Sequence, residues 1–293
     1  MTDSTNPWFL VLTSANAVAD DAVKQALDCL GSKAGPVKRL ADSAVEISMI
    51  GKPAHAGLLV AGVDVNAIAA AFRQKLLLVA DMDSTIISVE CIDELADYAG
   101  VKDRVAAITT RAMNGELAFD QALRERVALL IGLPETVLAQ CYQERVKLNA
   151  GASTLVKVMN SNGATTALVS GGFTYFADKV AEAAGFQFCR ANRLVIANGA
   201  LTGEVASPII GQSAKIDALV AMRRKAGLDI RQTLAVGDGA NDALMIKAAG
   251  LGVAYKGKPS LKAVATAVLE HSDLTALLAF QGYRESDTQG WVR

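Results

Sequence analysis

No apolar run in this 293-residue chain reaches the ~18 residues needed to cross a bilayer, although 52% of its residues are hydrophobic. A membrane-spanning helix is therefore not expected. The opening MTDSTNPWFLVLTS has no basic segment and too short an apolar run for a secretory leader, so none is expected. An excess of either charge is also missing: 29 Lys and Arg stand against 30 Asp and Glu, a net charge of −1. That balance offers no polybasic surface, so neither nucleic acid nor membrane is an expected partner. Histidine is scarce. His55 and His271 are the two present, no HExxH occurs, and His-rich zinc catalysis is disfavoured. The four cysteines, Cys29, Cys91, Cys141 and Cys189, are scattered without a CxxC, which speaks against a metal knuckle or a redox motif. They read as free thiols in a reducing, cytoplasmic compartment.

What is present suggests one large or two ordinary domains. Residues 1–74 read as a separate α+β module. A strand is expected over residues 8–13. A helical stripe of Val18, Ala22, Ala26, Leu27 and Leu30 stops at Gly31. Val45, Ile47 and Met49 alternate with polar neighbours, as in a half-buried strand. Another short strand is expected over 58–61, and Asp64 is placed to cap a helix running to about Gln74. The resulting order, βαββαβ, is similar to small amino-acid-binding (ACT-like) regulatory domains, although no ligand motif stands out.

Residues 75–293 alternate strands and helices. Strands are expected over 76–80, 166–169, 194–196, 233–236 and 252–255, giving a doubly wound parallel, Rossmann-like sheet. A segment of helical character, about 91–149, interrupts that order soon after the first strand. Apolar residues 76–80 run into Asp81, with Asp83, Ser84 and Thr85 following. Carboxylates at the end of a buried strand are costly unless they bind something, and ligands of open α/β sheets gather at strand carboxyl ends. The same residue types at Asp3, Ser4 and Thr5 follow no strand.

Three further strings continue the pattern. Ser170, Gly171 and Gly172 follow a strand. A hydroxyl and flexible backbone amides there can cradle a phosphate, and the same string also serves as a plain strand–helix turn. Lys215 stands near the start of a helical stretch, where a lone lysine is otherwise simply solvated. Gly237, Asp238, Gly239, Ala240, Asn241 and Asp242 again follow a strand. Three polar ligands packed around two glycines are hard to explain as a structural turn alone. Mg²⁺ prefers oxygen ligands and few protein carboxylates.

Taken together, DMDST, SGG, Lys215 and GDGAND resemble the motif set of the haloacid dehalogenase-like phosphohydrolases. The likeness covers about residues 75–275. It implies a nucleophilic Asp81, an acid/base Asp83, and Mg²⁺ held by Asp81, Asp238 and the Asp83 main-chain carbonyl. Asp242 orients the metal's surroundings from behind. Ser170, Gly171, Asn241 and Lys215 hold the phosphate. It also makes the helical segment 91–149 a cap over the site. There the chain is similar to the branch acting on O-phospho-L-serine in the last step of serine biosynthesis, which implies Glu90 on the substrate's amino group and Met113, Phe119 and Arg126 around the rest.

Phe119, Leu123, Arg126 and Leu130 share one helical face. At ~100° per residue Arg126 falls ~20° from Phe119, while Arg124 is ~140° away. A guanidinium suits a carboxylate by bidentate bonding, and an arginine at the edge of an apolar stripe can equally snorkel to water. The string from Gly252 to Lys258 mimics P-loop spacing, but Pro259 follows instead of Ser or Thr, so nucleotide binding is rejected. Two other readings stand beside the phosphoserine one: a same-fold phosphatase for another small phosphomonoester, and a non-catalytic amino-acid sensor. The expected partner is a small-molecule substrate, with a homodimer left open.

Overall fold

The computed structural model describes residues 7–51, 60–113 and 116–288. Asp3, Ser4, Thr5, His55 and residues 58–59 of the strand expected over 58–61 lie outside them. Strands β1 (Pro7–Ser14), β2 (Ala34–Ala41), β3 (Ala44–Ile50) and β4 (Val63–Ala69) form an antiparallel sheet in the order β2-β3-β1-β4. Helix α1 (Asp20–Leu30) lays Ala22 and Ala26 on one face of that sheet, against Leu10, Leu12, Val45 and Ile47. It ends, as its stripe predicts, at Gly31, whose φ of 54° is readily adopted without a Cβ.

The helix expected from Asp64 to Gln74 is not there. Asp64 lies inside β4, paired with Thr13 of β1. The reason is a period of two that polar residues disguise. Val63 and Val65 face the α1 side, while Asp64 and Asn66 are buried on the other. Asp64 accepts the amides of Glu270, His271 and Ser272 at 2.8–3.2 Å. Asn66 pairs with both backbone groups of Val268 at 2.9 Å. These contacts join residues about 200 positions apart, from one sheet to the other, so no local propensity reports them.

The second sheet has six parallel strands. Its order is β12 (Ala267–Leu269), β11 (Leu251–Tyr255), β10 (Thr233–Gly237), β5 (Leu77–Ala80), β6 (Thr165–Phe173) and β7 (Phe188–Asn192). Alternate residues serve its two faces. Leu78, Ala80, Leu168 and Val236 pack with α6 (Ala152–Ser161) and α7 (Thr174–Ala184). Leu77, Val79, Val169 and Ala235 pack with α8 (Gln212–Lys225) and α9 (Ala243–Ala248). Short α10 (Pro259–Lys262) and α11 (Ala276–Phe280) complete this unit, and α11 packs against the first sheet through Leu277 and Phe280 with Val11 and Ile68.

The insertion forms four helices: α2 (Cys91–Tyr98), α3 (Lys102–Met113), α4 (Phe119–Ala128) and α5 (Thr136–Arg145). The strand expected over 194–196 exists as β8 (Leu194–Ala197), but it does not join the parallel sheet. It pairs antiparallel with β9 (Ala200–Val205) as a separate hairpin. That hairpin bonds the insertion's backbone, through Gly132 N to Leu201 O and Glu135 N to Gly199 O, both at 2.8 Å. The hydrogen-bond partners of β8 are thus local, and the insertion covers the β9 side of the hairpin.

Candidate active site

From β5 the chain moves outward to β6 and β7 on one side, then returns to β10 on the other. The order therefore reverses between β5 and β10, and the carboxyl ends of these two strands flank a crevice that neither connection crosses. Asp81 ends β5 and Asp238 follows β10, so the topology brings them together from 157 positions apart in sequence.

Asp81 is buried. Its Oδ1 accepts the Met82 amide at 2.8 Å, and its Oδ2 meets Lys215 Nζ at 2.7 Å and Asn241 Nδ2 at 3.4 Å. After it, Met82–Ile86 make one wide turn with Ser84 at φ 54°. That turn carries Asp83 away from Asp81's partners. Asp83 Oδ1 accepts the Cys91 amide at 2.9 Å, and Oδ2 receives the Ser170 hydroxyl at 3.3 Å. Burial pushes the Asp83 carboxyl up to about 6, with the Cys91 amide opposing and the Asp81 charge adding to the rise. Ser170 Oγ also accepts the Gly172 amide at 2.8 Å. A Cβ at Gly172 would lie 2.6 Å from Asp83 Oδ2, so only glycine permits this approach.

Lys215 is fully buried in the first turns of α8 and bridges Asp81 and Asp242, at 2.7 Å each. Burial alone would lower its pKa, but the two carboxylates outweigh it and hold it above the usual lysine range. Asp242 gives Oδ1 to Lys215, while Oδ2 accepts the Asp238 and Gly239 amides at 3.2 and 3.1 Å. Both its oxygens are thereby engaged. Asp238 makes no ion pair among the described residues. Burial, then the Asp81 charge, raise Asp238 to about 6 and Asp242 to about 7.

One oxygen each of Asp81, Asp238 and Asp242 lie within 4.8 Å of one another. The Asp83 side chain is not part of this cluster, since it turns toward Cys91 and Ser170, which suits the expectation that Asp83 offers its main-chain carbonyl instead. Three carboxylates facing one lysine leave uncompensated negative charge in a buried place. Burial first and the Asp81 charge second hold Asp238 and Asp242 above the usual carboxylate range, and a divalent cation with oxygen preference fits the excess of negative charge.

The insertion supplies the upper wall. Glu90 stands solvent-accessible at the mouth and accepts the Ser84 hydroxyl at 2.6 Å. Desolvation by the surrounding protein, then the Asp83 charge, push its carboxyl up to about 8. Arg126 is half-buried on α4 and Arg124 is exposed. Arg126 Nε donates to Ala122 O at 3.2 Å. Its pKa is lowered by burial and raised by Asp93, Glu90 and Asp83, which places the guanidinium within electrostatic reach of the crevice. Phe119 at the start of α4 has ring atoms 3.0 Å from where a Gly171 Cβ would stand. Met113 closes α3, and its side chain lies outside the described part.

Sequence reasoning did not single out Asn192, Asn149 or the Cys91 amide. Asn192 bonds Gly171 O and Ile210 at both backbone groups. Asn149 donates to Thr85 O and Ile87 O, steadying the turn that bears Asp83. Each works by meeting backbone groups distant in sequence, and no spacing rule signals that.

The profile of the haloacid dehalogenase-like hydrolases matches residues 76–250. The chain belongs to that family. It is 47% identical over 205 residues to a phosphoserine phosphatase of Archaeoglobus fulgidus, covering 70% of this chain and 59% of that relative. A solved phospho-aspartyl intermediate analogue of phosphoserine phosphatase aligns with TM-score 0.66 and 40% identity, over 71% of this chain and 99% of that one. A probable phosphoserine phosphatase from Vibrio cholerae, unliganded, aligns over 100% of this chain and 92% of its own, with TM-score 0.77 and 32% identity. The matched stretches span less than two thirds of the first curated relatives' own lengths, 59%, 64% and 60%. Among the described residues, no helix is long and apolar enough to cross a membrane.

Proposed function

We propose that this hydrolase removes phosphate from O-phospho-L-serine. One observation supports the reading: an acidic and a basic side chain of the insertion, Glu90 and Arg126, both lie within electrostatic reach of Asp83 beside the aspartate–lysine centre, and such a pair suits a substrate with an ammonium and a carboxylate beside its phosphate. Relatives named phosphoserine phosphatase support it.

In this reading the Asp81 carboxylate attacks phosphorus, the bond from phosphorus to the seryl oxygen breaks, and Asp83 delivers a proton to the departing alkoxide. A water then loses its proton to Asp83 and attacks the aspartyl-phosphate, releasing inorganic phosphate and restoring Asp81. Lys215, Ser170, the Gly171 amide and Asn241 hold the phosphate oxygens during both steps. Asp81, Asp238 and the Asp83 carbonyl would hold Mg²⁺, with Asp242 fixing the loop through the Asp238 and Gly239 amides. When bound, Mg²⁺ neutralises the carboxylates and the incoming dianion. Met113 and Phe119 flank the seryl part. Residues 1–74 are read as a small ACT-like accessory unit, supported by the separate helix-backed sheet, and 75–293 as the catalytic unit, acting in the cytoplasm.

The test is phosphate release from O-phospho-L-serine, O-phospho-L-threonine and phosphoethanolamine, with and without Mg²⁺. Strong Mg²⁺-dependent preference for phosphoserine is expected. Indifference among the three would remove the substrate assignment and leave a general phosphomonoesterase.

A further inference from the structure

The ring of Phe119 bridges two loops that belong to the parallel-sheet unit. Its Cζ and Cε2 stand 3.0 and 3.5 Å from where a Cβ on Gly171 would be, and its Cδ1 and Cε1 stand 2.9 and 3.2 Å from one on Gly211. Two neighbouring edges of one rigid ring, Cδ1–Cε1 and Cζ–Cε2, thus rest where two side chains are missing. Neither glycine is explained by backbone conformation: neither has a positive φ, and Gly211 sits at φ −118°. The space itself is what these positions provide.

The two lips are tied to one another by a single side chain. Asn192, 1% exposed at the end of β7, donates Nδ2 to Gly171 O at 2.8 Å and to Ile210 O at 3.0 Å, and accepts the Ile210 amide on Oδ1 at 2.7 Å. Each lip also bears a phosphate-holding group: Ser170 precedes Gly171, and Gly211 leads into α8, four residues ahead of Lys215. We propose that Gly171 and Gly211 form a slot that seats Phe119 and registers the cap over the reacting atoms, and that Asn192 is the positioning residue fixing its width. The catalytic part of this rests on the phosphatase reading. The seating itself does not.

The first variant is Gly211→Ala. The backbone there tolerates any L-residue, and the added methyl meets chiefly the Phe119 ring, which Gly171 blocks from the other edge. Hydrogen exchange of the α4 amides in the substrate-free protein is expected to rise while the melting temperature stays near that of the unchanged protein. On O-phospho-L-serine, kcat/KM is expected to fall by about tenfold to a hundredfold, the range that small misplacements of a closing element cost. Trimming the ring relieves the clash, so Gly211→Ala with Phe119→Leu is expected to outperform Gly211→Ala alone. Unchanged exchange in α4 would overturn the slot, whatever the substrate turns out to be. A double variant no better than the single one would do the same. For Asn192, the comparison is Asn192→Ala in two backgrounds. With Phe119 present it is expected to lower kcat/KM by about tenfold or more, whereas with Phe119→Ala there is nothing left to seat and the further loss is expected to vanish. Equal losses in both backgrounds would make Asn192 a structural residue only.

Discussion

Asp81 and Asp83 are two residues apart yet face different chemistry, because the wide turn at Met82–Ile86 sends one side chain to Lys215 and the other to the Cys91 amide and Ser170. If Asp83 is the proton donor, Asp83→Asn hurts according to the leaving group. The loss on O-phospho-L-serine should exceed that on an aryl phosphate, whose phenolate departs without a proton, and steady-state rates on both substrates check it. Equal losses would count against the role. The cap arginine is tested by a comparison of neighbours. Truncating one partner of a buried charged contact typically costs ~2–5 kcal/mol, so Arg126→Ala should cut kcat/KM on phosphoserine by well over tenfold. It should matter far less on phosphoethanolamine, which has no carboxylate. Arg124 is exposed, and Arg124→Ala should be nearly silent. A loss for Arg124→Ala as large as for Arg126→Ala would shift the carboxylate clamp to the wrong face of α4.

At the scale of elements, β4 shows where local reasoning ends. A strand that turns Asp64 and Asn66 inward looks like a helix start when read alone, because an aspartate before apolar residues is a common cap. Its real partners are three consecutive amides near residue 271 and the backbone of β12. Hydrogen bonds to charged groups are worth ~1.5–3 kcal/mol each, and removing the acceptor leaves buried amides unpaired. Asp64→Ala should therefore cost about 2 kcal/mol or more of stability. Asp64→Asn, which keeps one acceptor oxygen, should fall between. Thermal unfolding reads this directly, and an Asp64→Ala midpoint within about 1 °C of the unchanged protein would show that the clamp is energetically idle. Four of the parallel strands, β5, β6, β10 and β11, were by contrast legible, while β7 was not. Buried β5 and β10 are runs of apolar residues ended by aspartate, and their motif residues converge in the structure as the strand-end rule requires. The β8–β9 hairpin and the three-residue β12 were not, since short strands are defined by whom they meet. The same holds within the site. Asp238 announces itself by charge and glycine spacing and Lys215 through the family resemblance, whereas Asn192 and Gly211 acquire meaning when the insertion packs over them.

For the molecule as a whole, the crevice is a place where folding works against itself. Lys215 pairs with Asp81 and Asp242, Asp83 and Asp238 stand close by, and burial raises the pKa values of Asp83, Asp238 and Asp242. Above neutral pH those three carboxyls carry charge, and repulsion in a poorly solvated crevice subtracts from stability. A ligand that binds the folded state alone adds RT ln(1 + [L]/Kd), about 2.7 kcal/mol at a hundredfold excess over Kd. At pH 8, Mg²⁺ is therefore expected to raise the melting temperature by roughly 5 °C, and chelation to reverse it. The decisive comparison is Asp238→Asn. Without Mg²⁺ this variant should melt at the same temperature as the unchanged protein or higher, because one of the crowded charges is gone. With Mg²⁺ its melting temperature should barely move, because a carboxylate of the cluster is gone too. The two effects have opposite signs, so general destabilisation by the substitution cannot imitate them. A melting temperature indifferent to Mg²⁺ in the unchanged protein, or an Asp238→Asn variant still stabilised by it, would mean that Asp238 does not hold the metal.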